Sequence, residues 1–294
     1  MFRRRPRALI LVACTALLLA GCAAPADDAP DAGVVTDASF EPGTTMADPA
    51  EAGTITVGTK FDQALFGKED PDTGLPVGFD VEIAKIIAAE LGIPADRIQW
   101  IEARPVDRET LLENGTVDLI VGTYTITAER KTLVDFAAPY YEGGQTFLVP
   151  KGNPDGLTAE RGELVATLKS KVICTVKGST AETHLREYTQ NIITVDRYGD
   201  CITPLREGQV DAISTDNAIL AGLSTEYPDE FELVPGTFSE DYYGIGLAHG
   251  DAAFRDFIND VLERAYDDGR WERAWSATIG TAIPVPTPPA VDRY

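Results

Sequence analysis

Gly122-Thr123-Tyr124-Thr125-Ile126-Thr127-Ala128-Glu129-Arg130 is the stretch on which the fold of this chain turns. The run 117–121 before it is short and apolar, the pattern of a buried strand, and a helix is expected to begin near Thr127. Between them sits a cluster of hydroxyls, with an arginine one turn into the helix. In open parallel sheets, ligands bind beyond the carboxyl ends of strands, next to helix N-termini. Hydroxyl donors, a positive helix end and a guanidinium fork suit a carboxylate. On local sequence alone, Thr127 as a plain cap with Arg130 facing water fits equally well.

Working outward, the same alternation repeats. Residues 54–59 alternate like a strand, and Phe79, Ile83, Ile86, Ile87 and Leu91 follow helical spacing up to Gly92. A strand is expected at 98–102, a helix at 107–113 and a strand at 134–136, giving β-α-β-α-β and a mostly parallel sheet. After the turn-rich Pro150-Lys151-Gly152-Asn153-Pro154 the order restarts, with strands at 172–176, 192–195 and 210–214 and helices at 180–188 and 217–223. Two further strand-to-helix junctions stand out. Lys177-Gly178-Ser179-Thr180 offers backbone access and hydroxyls, and Ser214-Thr215-Asp216-Asn217 offers a carboxylate for an ammonium group. Either could be a simple N-cap. The fold class expected is α/β with two lobes and a hinge, each lobe a central, mostly parallel sheet flanked by helices. The divisions are 1–21, a leader; 22–53, a flexible tether; 54–148 plus 236–281, lobe I; 149–235, lobe II; and 282–294, a tail with four prolines that wraps the surface.

Composition narrows the function classes. In 294 residues there are 25 Lys+Arg against 47 Asp+Glu, a net charge of −22. No clustered basic face appears, which argues against nucleic acid. Hydrophobic content of 44% argues against global disorder. Arg3, Arg4, Arg5 and Arg7 followed by the apolar run 8–20 read as a secretory leader rather than a membrane span. The run ends in Leu19-Ala20-Gly21-Cys22, which resembles the bacterial lipobox, with Cys22 as the lipidated residue; an ordinary leader with a chance cysteine is the alternative. With Cys14 removed in the leader and Cys22 acylated, Cys174 and Cys201 remain, and an even pair in an exported protein reads as a disulfide, worth roughly 3–4 kcal/mol in the chain-entropy account. His184 and His249 are isolated and no C-x-x-C occurs, so neither a metal nor another cofactor is expected.

Together the motifs resemble the polar amino-acid solute-binding proteins of ABC importers, from about Thr54 to Gly280. The pieces are Ile55-Thr56-Val57-Gly58-Thr59, Gly78-Phe79-Asp80-Val81-Glu82-Ile83-Ala84, Asn114-Gly115-Thr116-Val117-Asp118, Thr125-Ile126-Thr127-x-x-Arg130 with Pro139-Tyr140-Tyr141, Gly178-Ser179-Thr180, and Gly208-Gln209-Val210-Asp211-Ala212. Thr59-Lys60-Phe61-Asp62-Gln63 and the closing Pro288-Pro289-Ala290-Val291-Asp292-Arg293-Tyr294 are similar to the glutamate-binding lipoproteins of actinobacterial type.

The resemblance implies that Arg130, Thr125 and Thr180 clamp a ligand α-carboxylate, with Ser179 beside them. Asp216, Thr123 and the Gly122 carbonyl would take the α-ammonium. Lys60 and Arg108 would set side-chain selectivity toward an acidic ligand, L-glutamate first, with aspartate or the amides next; Tyr198 would also reach the side chain. Lys60 paired with Asp62 or Glu69 at the surface, and Arg108 as a solvated helix residue, are the plainer alternatives. Where relatives place aromatic rings around the ligand, this chain has Gln63 and the region of Pro105, which disfavours large apolar ligands. The expected partners are the amino acid, the subunits of an ABC permease and a membrane held through the lipid anchor, with the protein itself a monomer. Two competing roles are a sensor presenting its ligand to a membrane signalling partner and a dehydratase on the same fold. The second needs a positioned acid or base that the sequence does not offer. Hinge closure is expected to run through crossovers near Leu148-Val149-Pro150 and Val234-Pro235-Gly236.

Overall fold

The structure, a computed structural model, describes residues 33–294. The expected leader and the acylated Cys22 lie outside the described residues. Two five-stranded mixed sheets organise the rest. In the first, Ile98–Glu102, Ile55–Thr59 and Leu119–Ile120 run parallel. Asp241–Leu247 then lies antiparallel to Leu119–Ile120, and Asp135–Gly143 lies antiparallel to it at the edge. The second repeats the scheme: Ile192–Val195, Ile173–Val176 and Ala212–Asp216 are parallel, followed by antiparallel Gln145–Pro150 and Phe231–Leu233. In each sheet four strands point one way and one is reversed, Asp241–Leu247 in the first and Gln145–Pro150 in the second, so both are the mostly parallel sheets expected from the alternation. The antiparallel strands are those through which the chain passes between halves, so their direction follows from the crossings.

The first crossing falls at Gly143 and Gly144, between the strands Asp135–Gly143 and Gln145–Pro150, a few residues earlier than expected. Leu148, Val149 and Pro150 belong to the second sheet. The return path runs beside it: Val234 N–H donates to Phe147 O at 2.9 Å and Phe238 N–H to Gln145 O at 2.9 Å. A Cβ on Gly144 would stand 2.4 Å from Ser239 O, so only glycine lets the two crossings lie this close.

The first sheet is covered by Phe79–Glu90, Ala252–Asp267 and Arg270–Thr278. Helix Phe79–Glu90 is apolar on nearly every side and is packed between sheet and C-terminal helices. Phe79 meets Trp275 at 5.1 Å between centroids, and Trp271 Nε1–H donates to Tyr140 O at 2.9 Å. Residues from Gly33 to Gly53 do not form a free tether: Val35 N–H donates to Ala89 O, Phe40 packs edge-on against Phe257 at 5.4 Å, and Ala47–Ala52 is a helical turn. The composition of this stretch is polar, but Phe40 and Met46 pack against the core of the first lobe. The tail likewise packs, with Ile283 O accepting from Trp275 Nε1–H.

Where a helix was expected from Thr127, only the 3-10 turn Arg130–Thr132 forms. Thr127 Oγ1 does cap it, accepting from Arg130 N–H at 3.1 Å. Thr125 is bridged to Tyr243, and the strand that starts at Asp135 leaves no room for a second turn. Cys174 and Cys201 form the expected disulfide, with Cα atoms 5.8 Å apart. It ties the strand Ile173–Val176 to the turn Tyr198–Cys201.

Candidate functional site

The carboxyl ends of the parallel strands of both sheets converge on one cleft. Gln63, Pro105, Arg108, Thr123, Thr125 and Arg130 line it from the first sheet, and Ser179, Thr180, Tyr198, Thr215, Asp216 and Ile219 from the second. Eight of the ten residues expected from sequence are therefore brought together. Lys60 and Gly122 are not among the lining residues.

One wall is cationic. Arg108 is buried, and its guanidinium donates to the carbonyls of Ala103, Gly122 and Thr123. It is neither solvated nor free to leave. The Gly122 carbonyl, assigned by resemblance to an ammonium, is thus already occupied by Arg108. Arg130 donates through Nη1 to Thr125 O at 2.8 Å, and its Nε lies 3.3 Å from Glu109 Oε1. Both guanidiniums stand 4.9 Å from the centroid of the Tyr124 ring, whose hydroxyl donates to Glu109 at 2.8 Å. Burial, then the nearby Arg130, lowers the pKa of Arg108. An anion in the cleft would offset both effects.

Lys60 sits behind this wall rather than on it. It is 1% exposed, with Nζ 3.0 Å from Asp62 Oδ1. Burial lowers its pKa, and Asp62 opposes that shift. The lysine does pair with Asp62, but deep in the protein and not at the surface.

Thr123 is held in a left-handed conformation, φ 45°, unusual for a β-branched residue. Asp80 Oδ2 accepts its N–H at 2.8 Å, and Gln63 Oε1 accepts its hydroxyl at 2.9 Å. Asp80 also accepts from Tyr140 at 2.7 Å. Complete burial pushes its carboxyl up to about 7 against these hydrogen bonds.

The opposite wall carries the acid. Asp216 is buried, and its Oδ2 accepts from the Tyr243 hydroxyl at 2.6 Å. Burial first, then Asp241, raises its carboxyl far above the usual range. Such a group gains most from a cation placed beside it. Ser179 caps the helix Thr180–Arg186, accepting from Glu182 N–H, and donates to Val176 O. Tyr198 is buried against Thr215, Ser179 and Thr175, and burial pushes its hydroxyl up to about 12.

The walls touch. Thr125 Oγ1 lies 3.3 Å from Thr180 Oγ1, and Tyr243 reaches Asp216 from the other sheet. At the rim, Arg197 donates in bidentate fashion to Glu102 at 2.6 and 3.0 Å, Arg104 lies 3.6 Å from Asp196, and Lys68 pairs with Glu226. Among the described residues no group of three or more His, Cys, Asp or Glu could hold a metal ion, and no helix is long and apolar enough to cross a membrane.

Sequence reasoning did not assign Thr215 or Ile219 to the site, nor Asp80, Glu109 and Tyr243 as supports. Thr215 lies one residue before Asp216 on an extended strand, so its presence followed from the junction already singled out. Tyr243 had no local signal, because only the pairing of its strand brings it to Asp216.

A cleft at the strand ends of two similar α/β units, one wall cationic and the other acidic, fits one family, and residues 55–277 match its model. The chain belongs to family 3 of the bacterial extracellular solute-binding proteins. Among family members, it is 36% identical to the glutamate-binding protein GluB of Corynebacterium glutamicum, over 78% of this chain and 80% of the other. It is 35% identical to the ABC transporter glutamine-binding protein GlnH of Bacillus subtilis, over 80% of this chain and 84% of the other. The solute receptor for L-cysteine of Neisseria gonorrhoeae superposes with a TM-score of 0.74 at 28% identity, covering 81% of this chain and 95% of that one.

Proposed function

We propose that this solute-binding protein captures an acidic amino acid, L-glutamate first, outside the cytoplasmic membrane, and delivers it to an ABC permease. The observation that carries the reading is that Arg130 and Asp216 line one cleft from two different sheets. An α-amino acid presents a carboxylate and an ammonium on one carbon, and it would join those two walls. The carboxylate goes to Arg130, Thr125 and Thr180, and the ammonium to Asp216 and Thr123. Ligand contacts made only when the halves meet favour the closed form by differential affinity.

The side chain points toward Arg108. Among the cleft-lining groups, Arg108 and Arg130 against Asp216 leave a net +1, which complements the −1 of glutamate or aspartate; glutamine ranks below them. Lys60 contributes through the field around Arg108 and not by contact, since Asp62 holds it. Similarity to proteins named for glutamate and glutamine binding supports this ligand class. Acylation of Cys22 would keep the protein at the outer membrane face as a monomer, binding without turnover.

Calorimetric titration tests this on the chain from Gly33 onward, because packing against the first lobe begins there. L-Glutamate should bind micromolar or tighter, with L-aspartate and L-glutamine weaker and L-arginine silent. Arg130→Ala should abolish all binding. No heat with any amino acid would refute the assignment, and arginine binding as tightly as glutamate would refute the side-chain reading.

A further inference from the structure

Residues 292–294 touch none of the cleft, yet they grip the backbone that carries Arg130. The Tyr294 ring has Lys131 Nζ 3.6 Å from its centroid and Arg255 Cζ 4.5 Å from it. Its Oη accepts the N–H of Phe136 at 2.8 Å. Asp292 lies 3.3 Å from Lys131 Nζ, and its own N–H donates to Ala138 O at 3.1 Å. Lys131 belongs to the turn Arg130–Thr132, while Phe136 and Ala138 open the strand Asp135–Gly143. The segment therefore holds that turn on one side and the strand it feeds on the other.

Both contacts fall on backbone that leads directly to and from Arg130. The strand Asp135–Gly143 is the edge of its sheet, and an edge strand leaves a row of backbone groups without ladder partners. The segment supplies partners to two of them. The turn is only three residues long; Thr127 O and Glu129 O accept from Lys131 and Thr132 N–H, and Arg130 O accepts from both Leu133 and Val134 N–H. Its own hydrogen bonds are thus local, and the segment adds the contacts that tie it to the sheet edge. A guanidinium at the end of a long side chain moves with the backbone that bears it. A small rotation at 130–132 would shift Arg130 away from Thr125 O and out of register with the cleft.

We infer that Tyr294 is a positioning residue for Arg130: by holding Lys131 and Phe136 it fixes the turn that aims the guanidinium into the ligand cleft. This rests on the reading of Arg130 as the α-carboxylate clamp. Because every α-amino acid carries that carboxylate, the effect falls on all ligands alike and leaves their ranking intact. Arg293 provides an internal comparison, since it anchors the same segment to Asp260 and Glu263 on helix Ala252–Asp267 without touching the turn.

Affinity for L-glutamate and L-glutamine is measured in the full chain and in Tyr294→Ala, Tyr294→Phe and Arg293→Ala, with hydrogen exchange followed over residues 127–138. Tyr294→Ala should weaken both ligands by the same factor, about 3- to 10-fold, and speed exchange at 130–136. Tyr294→Phe, which keeps the ring beside both cations, should recover most of the affinity, and Arg293→Ala should stay within about twofold of the parent. Unchanged affinity in Tyr294→Ala, or equal weakening in Arg293→Ala, overturns the inference. If the parent chain binds neither ligand, the reading of Arg130 fails. Exchange then decides positioning alone: faster exchange at 130–136 in Tyr294→Ala but not in Arg293→Ala upholds it, and unchanged exchange overturns it.

Discussion

Asp216→Asn removes the one acid among the described residues lining the cleft while keeping an oxygen for the Tyr243 hydroxyl. Binding an ammonium there requires the ionised carboxylate, yet burial and Asp241 hold the free group protonated well above the ordinary carboxylate range. In the ligand-free protein a raised carboxyl contributes stability at low pH that is lost as pH rises through its folded value. Ligand reverses the sign, because an adjacent ammonium favours the charged form. Binding must then release a proton, and affinity should climb about tenfold per pH unit between roughly pH 5 and 6. In Asp216→Asn the proton and the slope both vanish. Leaving a buried ammonium without its counter-charge costs about 2–5 kcal/mol, on the order of 30- to several-thousand-fold in affinity. Calorimetry near pH 6 in buffers of different ionisation enthalpy counts the proton directly, with about one per ligand expected. A binding enthalpy independent of buffer in the parent, or an equal pH slope in Asp216→Asn, would refute this account of the acid wall.

Asp80, held near 7, contributes stability that is fully present below about pH 4 and declines as pH rises toward 7. Urea unfolding should show the parent losing about 2 kcal/mol more than Asp80→Asn between roughly pH 5 and 7. Lys60→Met strands Asp62 in the interior and should cost about 3–5 kcal/mol, much of it restored by adding Asp62→Asn; a neutral single variant would contradict the buried ion pair. The Arg197 to Glu102 pair is half exposed, so Arg197→Gln should weaken glutamate by only about 2- to 5-fold and flatten the salt dependence of binding, checked by titration at low and at about 1 M salt.

Much of the site was legible because its residues sit at strand-to-helix junctions, where composition changes abruptly within a few positions. Arg130, Thr180 and Asp216 each announced themselves this way. The errors have physical causes. Helix length after Thr127 depended on a strand starting at Asp135, which local propensity does not report. The polar composition of 33–53 concealed Phe40 and Met46, whose burial is decided by what they meet. Lys60 carried the right charge at the right turn, but its partner two residues on neutralises it once both are buried. Tyr243 and Asp80 act through pairings about 27 and 43 residues distant in the chain, and no pattern in one sequence marks such couplings.

The disulfide gives this protein a sense of place. Cys174 and Cys201 join the strand that leads to Ser179 with the turn that begins at Tyr198, so a single covalent tie spans two sides of the ligand's enclosure. In a reducing compartment the thiols stay separate, and Tyr198 keeps only its noncovalent neighbours, Thr175, Ser179 and Thr215. Under the proposed function, a chain exported to an oxidising compartment would gain this tie there, and its enclosure of the amino acid would be tighter outside the cell than inside it.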